Sequence, residues 1–258
     1  EGWGIIATLE AETTAQQRAF VQALPRGFGR ATALSGAPLV HFSVRREGGE
    51  LLLTEGSRVR FRGASAGGFA QAVADSVETA ASNLSSEMAF LHAGVVAYRG
   101  RALVFPGRSY AGKSTLVGAW LRRGATYLSD DLAPIDKSLL VHPWPRALGM
   151  RYGSTGQQRR VGAREIGGKV ARKARPIALI WCATYDPLVS VATLDPKEGR
   201  QAFAELLAHC PGARLRPHVV IPALTRLAQS VPVFAGVRGD AEASVQQVLE
   251  RLRDWAPR

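Results

Sequence analysis

A chain of 258 residues with 46% hydrophobic side chains can build one sizeable domain and a smaller appended unit, which excludes a disordered segment. Its net charge of +12 leaves nucleic acid, an acidic partner and a phosphate-rich ligand open, yet no zinc-ligand spacing or nucleic-acid signature accompanies the charge, so nucleic acid is not the expected partner. Two cysteines, Cys182 and Cys210, do not make a disulfide framework, no apolar run approaches the 18 or so residues of a membrane span, and residues 1–10 lack the plan of a signal peptide; a cytoplasmic protein away from membranes is expected.

Residues 1–66 read as a small α+β unit and residues 67–258 as a second, larger domain. In the first, Ile5 to Leu9 suits a strand, Thr14 to Leu24 a helix before Pro25, and Val40, Phe42 and Val44 alternate with polar residues. Gly48-Gly49 then supplies a turn, and Leu51 to Leu53 returns as the partner strand. From Gly68 to Leu91, apolar residues recur at three- and four-residue steps, which predicts one long amphipathic helix. Ala93 to Tyr98 and Arg101 to Phe105, split by Arg99-Gly100, predict a tight hairpin.

That hairpin runs into Gly107-Arg108-Ser109-Tyr110-Ala111-Gly112-Lys113-Ser114, a full G-x-x-x-x-G-K-[ST] phosphate loop, followed by Thr115 and a helix with Leu116, Val117, Trp120 and Leu121 on one face. Strand, glycine loop and helix N-terminus together point backbone N–H groups and a partial positive charge at polyphosphate, with Lys113 reaching the terminal phosphates and the Ser114 hydroxyl placed to ligate Mg2+. ATP and Mg2+ are the expected cofactors. Ala125 to Leu128 suits a buried strand that ends at Ser129-Asp130-Asp131. Adjacent side chains on extended chain diverge, so one carboxylate can serve Mg2+ and the other the acceptor hydroxyl; Asp130 is assigned to the metal and Asp131 to the base.

Leu139 to His142, Ile177 to Thr184 and Val231 to Val237 predict further strands, and Lys197 to His209, Val219 to Gln229 and Ala241 to Trp255 predict helices, the last with Asp240 as N-cap. Residues 156–175 are rich in Gly, Gln and basic side chains and predict a mobile loop, either a solvated segment or a flap for an acidic acceptor. His142, His209 and His218 show no metal-ligand spacing.

Leu91-His92-Ala93-Gly94-Val95, then Gly107 to Thr115, Arg123-Gly124 and Leu128-Ser129-Asp130-Asp131 resemble the core of the HPr kinase/phosphorylase family and its HPr-kinase-like relatives, most specifically over residues 68–155. Phosphoenolpyruvate carboxykinases share that fold and a related arrangement of loop and acid pair. The resemblance implies an α/β fold, a mixed-sheet P-loop kinase core of the HPr kinase and carboxykinase type with a small N-terminal α+β unit. It implies that His92, 21 residues before Lys113, lies near the acid pair and tunes the base. It makes Arg146 and Arg151 candidates to hold phosphate charge. Tyr110 stands where the family often has Gly, and Thr115 where HPr-specific enzymes often have an acid. The implied activity is Mg2+-dependent transfer of a phosphoryl group from ATP to a serine hydroxyl on a small protein or peptide, a ribosomally made natural-product peptide among the candidates. Family members act as oligomers, which leaves a homo-oligomer open. A small-molecule alcohol kinase and a non-catalytic nucleotide-binding regulator are the alternatives; a pure sensor has no need of a base.

Overall fold

The computed structural model describes residues 1–31, 36–108, 111–152 and 157–253, without the side chains of residues 151, 152, 157, 158, 252 and 253. Two compact units result, Glu1–Met88 with Arg214–Val219 and Ala89–Ala213 with Val220–Arg258.

The first unit holds β1 (Ile6–Ala11), α1 (Thr14–Ala23), β2 (Leu39–Glu47), β3 (Glu50–Glu55), β4 (Arg58–Gly63) and α2 (Ala66–Leu84). Its sheet runs β1-β2-β3-β4, with β1 parallel to β2 and the other pairs antiparallel. A capping box starts α1: Thr13 accepts the Gln16 N–H and the Gln16 side chain accepts the Thr13 N–H. Phe69, Val73, Val77 and Ala80 form the buried stripe of α2, and Phe69 meets Phe61 of β4 edge to face, centroids 6.0 Å apart.

The periodicity predicts that this helix continues to Leu91, but it stops at Leu84. The Ser85 hydroxyl accepts the N–H groups of Glu87 and Met88, and the buried Arg216 guanidinium donates to the carbonyls of Ser82, Ser85 and Met88. These contacts satisfy carbonyls that a helix end leaves without partners. Ala89, Phe90 and Leu91 are consecutively buried, as a strand covered on both faces requires. Because α2 packs with the N-terminal strands, the boundary between units falls after Met88 rather than after residue 66.

The second unit contains β5 (Ala89–Tyr98), β6 (Arg101–Pro106), α3 (Lys113–Arg122), β7 (Thr126–Ser129), β8 (Leu132–Ile135), β9 (Leu140–Val141), β10 (Leu148–Tyr152), β11 (Gln157–Val161), a 3-10 turn at Ala163–Ile166, β12 (Lys169–Val170), β13 (Arg175–Tyr185), β14 (Asp195–Lys197), α4 (Gly199–Ala208), most of α5 (Pro217–Ser230), β15 (Val233–Arg238) and α6 (Ala241–Arg253). Among the described residues, nine strands form one mixed sheet in the order β12-β7-β5-β8-β9-β13-β15-β14, with β6 hydrogen-bonded to both β5 and β13. β13 is parallel to β6 and β15, whereas β5 is antiparallel to β6, β7 and β8. One face packs Leu91, Val95, Val104 and Ile180 against Leu206 of α4 and Leu224 and Leu227 of α5. The other packs Phe105, Leu179 and Trp181 against Leu116 and Trp120 of α3 and Val245 and Val248 of α6. The result is an α/β/α layering.

Residues 157–175 differ from the expected mobile loop. Gln157–Val161 pairs antiparallel with Leu148–Tyr152, and β12 adds to the sheet edge beside β7. Val161, Ala163 and Ala171 are buried with Leu148; spread singly among basic residues, they give no periodic signal. Asp240 does cap α6, accepting the Ala243 N–H. Trp255 lies outside the described residues. No described helix is long and apolar enough to cross a membrane.

Candidate active site

The β5–β6 hairpin places His92 and the start of the glycine loop side by side. Its register pairs Ala93 with Pro106, and the Gly107 N–H donates to the His92 carbonyl at 3.1 Å. His92 N–H in turn donates to the His209 carbonyl at 2.7 Å, and Ala93 N–H to the Asp131 carbonyl at 3.1 Å. Three stretches distant in sequence thus meet midway along β5, where its partner changes from β8 to β6. Gly94 permits a close approach here, since a Cβ at that position would lie 2.6 Å from Val117 Cγ2 and 3.7 Å from Lys113 Cβ. The first turn of α3 therefore sits directly on the strand.

Gly107 and Gly112 frame the loop; Ser109 and Tyr110 lie outside the described residues. Gly112, at φ +73°, is the N-cap of α3 in the left-handed region, where other residues are strained. Ala111 is half-buried, while Arg108 and Thr115 are exposed. Lys113 is 9% exposed, and its Nζ donates to the Gly107 and Arg108 carbonyls at 2.9 and 3.0 Å. Burial lowers its pKa, with Asp130 and Asp131 pulling in the opposite direction.

Ser114 donates its hydroxyl hydrogen bond to Asp130 Oδ2 at 2.6 Å, and the Gly149 N–H reaches the same oxygen at 3.4 Å. Asp130 Oδ1 is buried and has no hydrogen-bond partner among the described residues. A carboxylate in this position is costly, and burial pushes Asp130 up to about 7 despite the Ser114 hydrogen bond. Burial, then Asp130, also hold the Tyr127 phenol well above its ordinary value. An uncompensated carboxylate oxygen beside a serine hydroxyl is a hard oxygen donor set, which fits Mg2+.

Asp131 is half-buried, and its charge acts on both Lys113 and His92. Burial and then Lys113 hold the His92 imidazole below its usual pKa, against the pull of Asp131. His92 is therefore predominantly neutral at pH 7. Arg146 is half-buried, and its carbonyl accepts the Tyr127 phenol at 2.8 Å, which seats it in the segment that passes Asp130. Arg151 lies in β10, its side chain outside the described residues.

Two groups here had no sequence signal strong enough to single them out. Arg238, at the end of β15 and 2% exposed, donates through Nη2 to the Ala111 and Gly112 carbonyls at 3.2 and 2.8 Å and through Nη1 to the Gly239 carbonyl at 3.0 Å. It clamps the loop from outside, and a Cβ on Gly112 would collide with it. The only trace in sequence is a charged residue closing an apolar strand. His209 is the other: the absence of a histidine spacing concealed that it meets Cys182 and Glu205, all three donor atoms lying within 4.8 Å of one another. The four-residue step from Glu205 to His209 was the available clue.

No family model matches the chain, and no curated protein matches it in sequence. Among solved structures the chain is similar to the Hpr(Ser) kinase/phosphatase from Coxiella burnetii, at 12% identity over 64% of this chain and 95% of that one, with a TM-score of 0.38. So loose an overlap carries no functional argument, which rests on the site itself.

Proposed function

We propose that the chain is an ATP-dependent phosphotransferase that phosphorylates a serine hydroxyl of a small protein or peptide. The carrying observation is the Ser114 to Asp130 hydrogen bond at the first turn of α3, with the second Asp130 oxygen buried and unpartnered among the described residues and with the Asp131 carbonyl accepting the Ala93 N–H next to His92. A binding module that only senses nucleotide gains nothing from a second carboxylate and an imidazole there.

In this reading, backbone N–H groups of residues 107–115 and the Lys113 ammonium bind the phosphates, Lys113 exchanging its two loop carbonyls for phosphate oxygens. Ser114 and Asp130 would hold Mg2+, which when bound neutralises phosphate charge and orients the transferring group. Asp131 accepts the proton of the attacking hydroxyl. His92, uncharged near neutrality, lies within electrostatic reach of Asp131 and tunes the basicity of the carboxylate. Arg146 and Arg151 are the candidates to hold phosphate charge in the transition state, as the sequence resemblance implies. The serine acceptor itself rests on the sequence resemblance to HPr kinases, and exposed Arg159 and Arg160 on the β10–β11 hairpin favour an acidic protein or peptide.

The test is incubation with ATP, Mg2+ and serine-containing peptides or cell extract, with phosphate addition read by mass. A gain of one phosphate on a peptide or protein, lost in Asp131→Asn, supports the reading. Phosphate appearing only on a metabolite moves the acceptor to small alcohols, and no transfer to any acceptor removes the kinase assignment.

A further inference from the structure

The Cys182, Glu205 and His209 side chains come from two elements, β13 and the C-terminal end of α4. Cys182 lies near the end of β13 and is 7% exposed; Glu205 sits in the last two turns of α4, and His209 is the residue that ends it. A four-residue step puts Glu205 and His209 on one helix face, turned toward the strand that carries Cys182.

We propose that Cys182, Glu205 and His209 form a zinc site, separate from the Mg2+ position at Ser114 and Asp130. One thiolate sulfur, one imidazole nitrogen and one carboxylate oxygen are a borderline-soft set that suits Zn2+ and excludes Mg2+, which takes hard oxygens. Tetrahedral bonds of about 2.0–2.3 Å put ligand atoms roughly 3.3–3.8 Å apart. A cluster already within 4.8 Å closes onto an ion by side-chain movement of about 1 Å. The C-terminal end of α4, where carbonyls leave partial negative charge, adds to the attraction for a cation.

In the metal-free chain, burial and then Glu205 push the Cys182 thiol up to about 12, so binding displaces its proton to solvent and the thiolate sulfur forms the bond. Three protein ligands leave the fourth position to water. The His209 carbonyl holds the His92 N–H, so filling the site fixes the end of α4 against the strand that bears His92.

The test uses the untagged full chain, stripped with chelator and titrated with Co2+ in the absence of nucleotide. One equivalent should produce a thiolate-to-cobalt charge-transfer band, which equimolar Zn2+ abolishes. Cys182→Ser should lose that band and Cys210→Ala should keep it. Glu205→Gln and His209→Gln, each checked for native circular dichroism, should weaken binding by more than the 10- to 100-fold that loss of a supporting residue typically costs. Ser114→Ala should retain the band. Absence of the band, its survival in Cys182→Ser, or unchanged affinity in both Glu205→Gln and His209→Gln overturns the site. None of these outcomes depends on kinase activity.

Discussion

Asp130→Asn separates the catalytic from the structural account of the buried acid. In the folded chain the carboxyl sits at about 7 rather than 3.8, which corresponds to about 4 kcal/mol between its two protonation states. A raised carboxyl favours folding while it is protonated. Its contribution is complete below pH 3.8 and is lost as pH rises through about 7, because over that range the unfolded chain has released the proton and the folded chain still holds it. About 2 kcal/mol of the change falls between pH 5 and 7. The amide of the variant cannot ionise, so Asp130→Asn should gain stability relative to the parent as pH rises, by about 3 kcal/mol from pH 5 to 8. Urea unfolding followed by tryptophan fluorescence, in chelator and without nucleotide, measures the difference at each pH. The same variant should require more Mg2+ for any residual transfer. Parallel stability profiles for parent and variant between pH 5 and 8 would refute the claim that burial raises the Asp130 carboxyl.

Lys113→Ala should sharply weaken ATP-Mg2+ binding in a calorimetric titration while retaining a native circular dichroism spectrum; unchanged affinity removes the phosphate-loop assignment. Asp131→Asn should keep nucleotide affinity and lose about 10^2- to 10^4-fold in transfer rate, with His92→Ala losing less, both read by phosphate incorporation under single-turnover conditions. Arg238→Met should cost about 3 kcal/mol, since it strips charge-assisted hydrogen bonds from three carbonyls, and should weaken ATP binding as well. An unchanged unfolding midpoint and ATP affinity in that variant would show that the loop holds its shape without the clamp.

The parts of the site that the sequence made legible are those whose geometry is local. A strand, a glycine loop and a helix start within about twenty residues of one another, so Gly107, Gly112, Lys113 and Ser114 follow from spacing, and the strand that ends in Asp130 and Asp131 comes directly after. Arg238, Gly149 and His209 reach the same place through sheet registers and a helix end that no local pattern encodes. The end of α2 was hidden for a different reason: Leu84, Met88 and Leu91 fit a helical period, yet Arg216, more than 120 residues away, terminates it. The β10–β11 hairpin was obscured by its charge, as its buried residues are too sparse to outweigh the arginines around them.

The Arg238 clamp bears on the order in which the chain emerges from the ribosome. The motif residues and the acid pair have all been synthesised by residue 131, but β13, which pairs with β6 beside the loop, arrives only at 175–185, and the guanidinium that holds Ala111 and Gly112 only at 238. A nascent or truncated chain ending before that point carries every residue of the nucleotide signature without the group that sets the loop. If the loop binds nucleotide as proposed, fragments chosen by motif boundaries should bind it poorly, because the clamp on Ala111 and Gly112 is the last part of the loop's surroundings to be made.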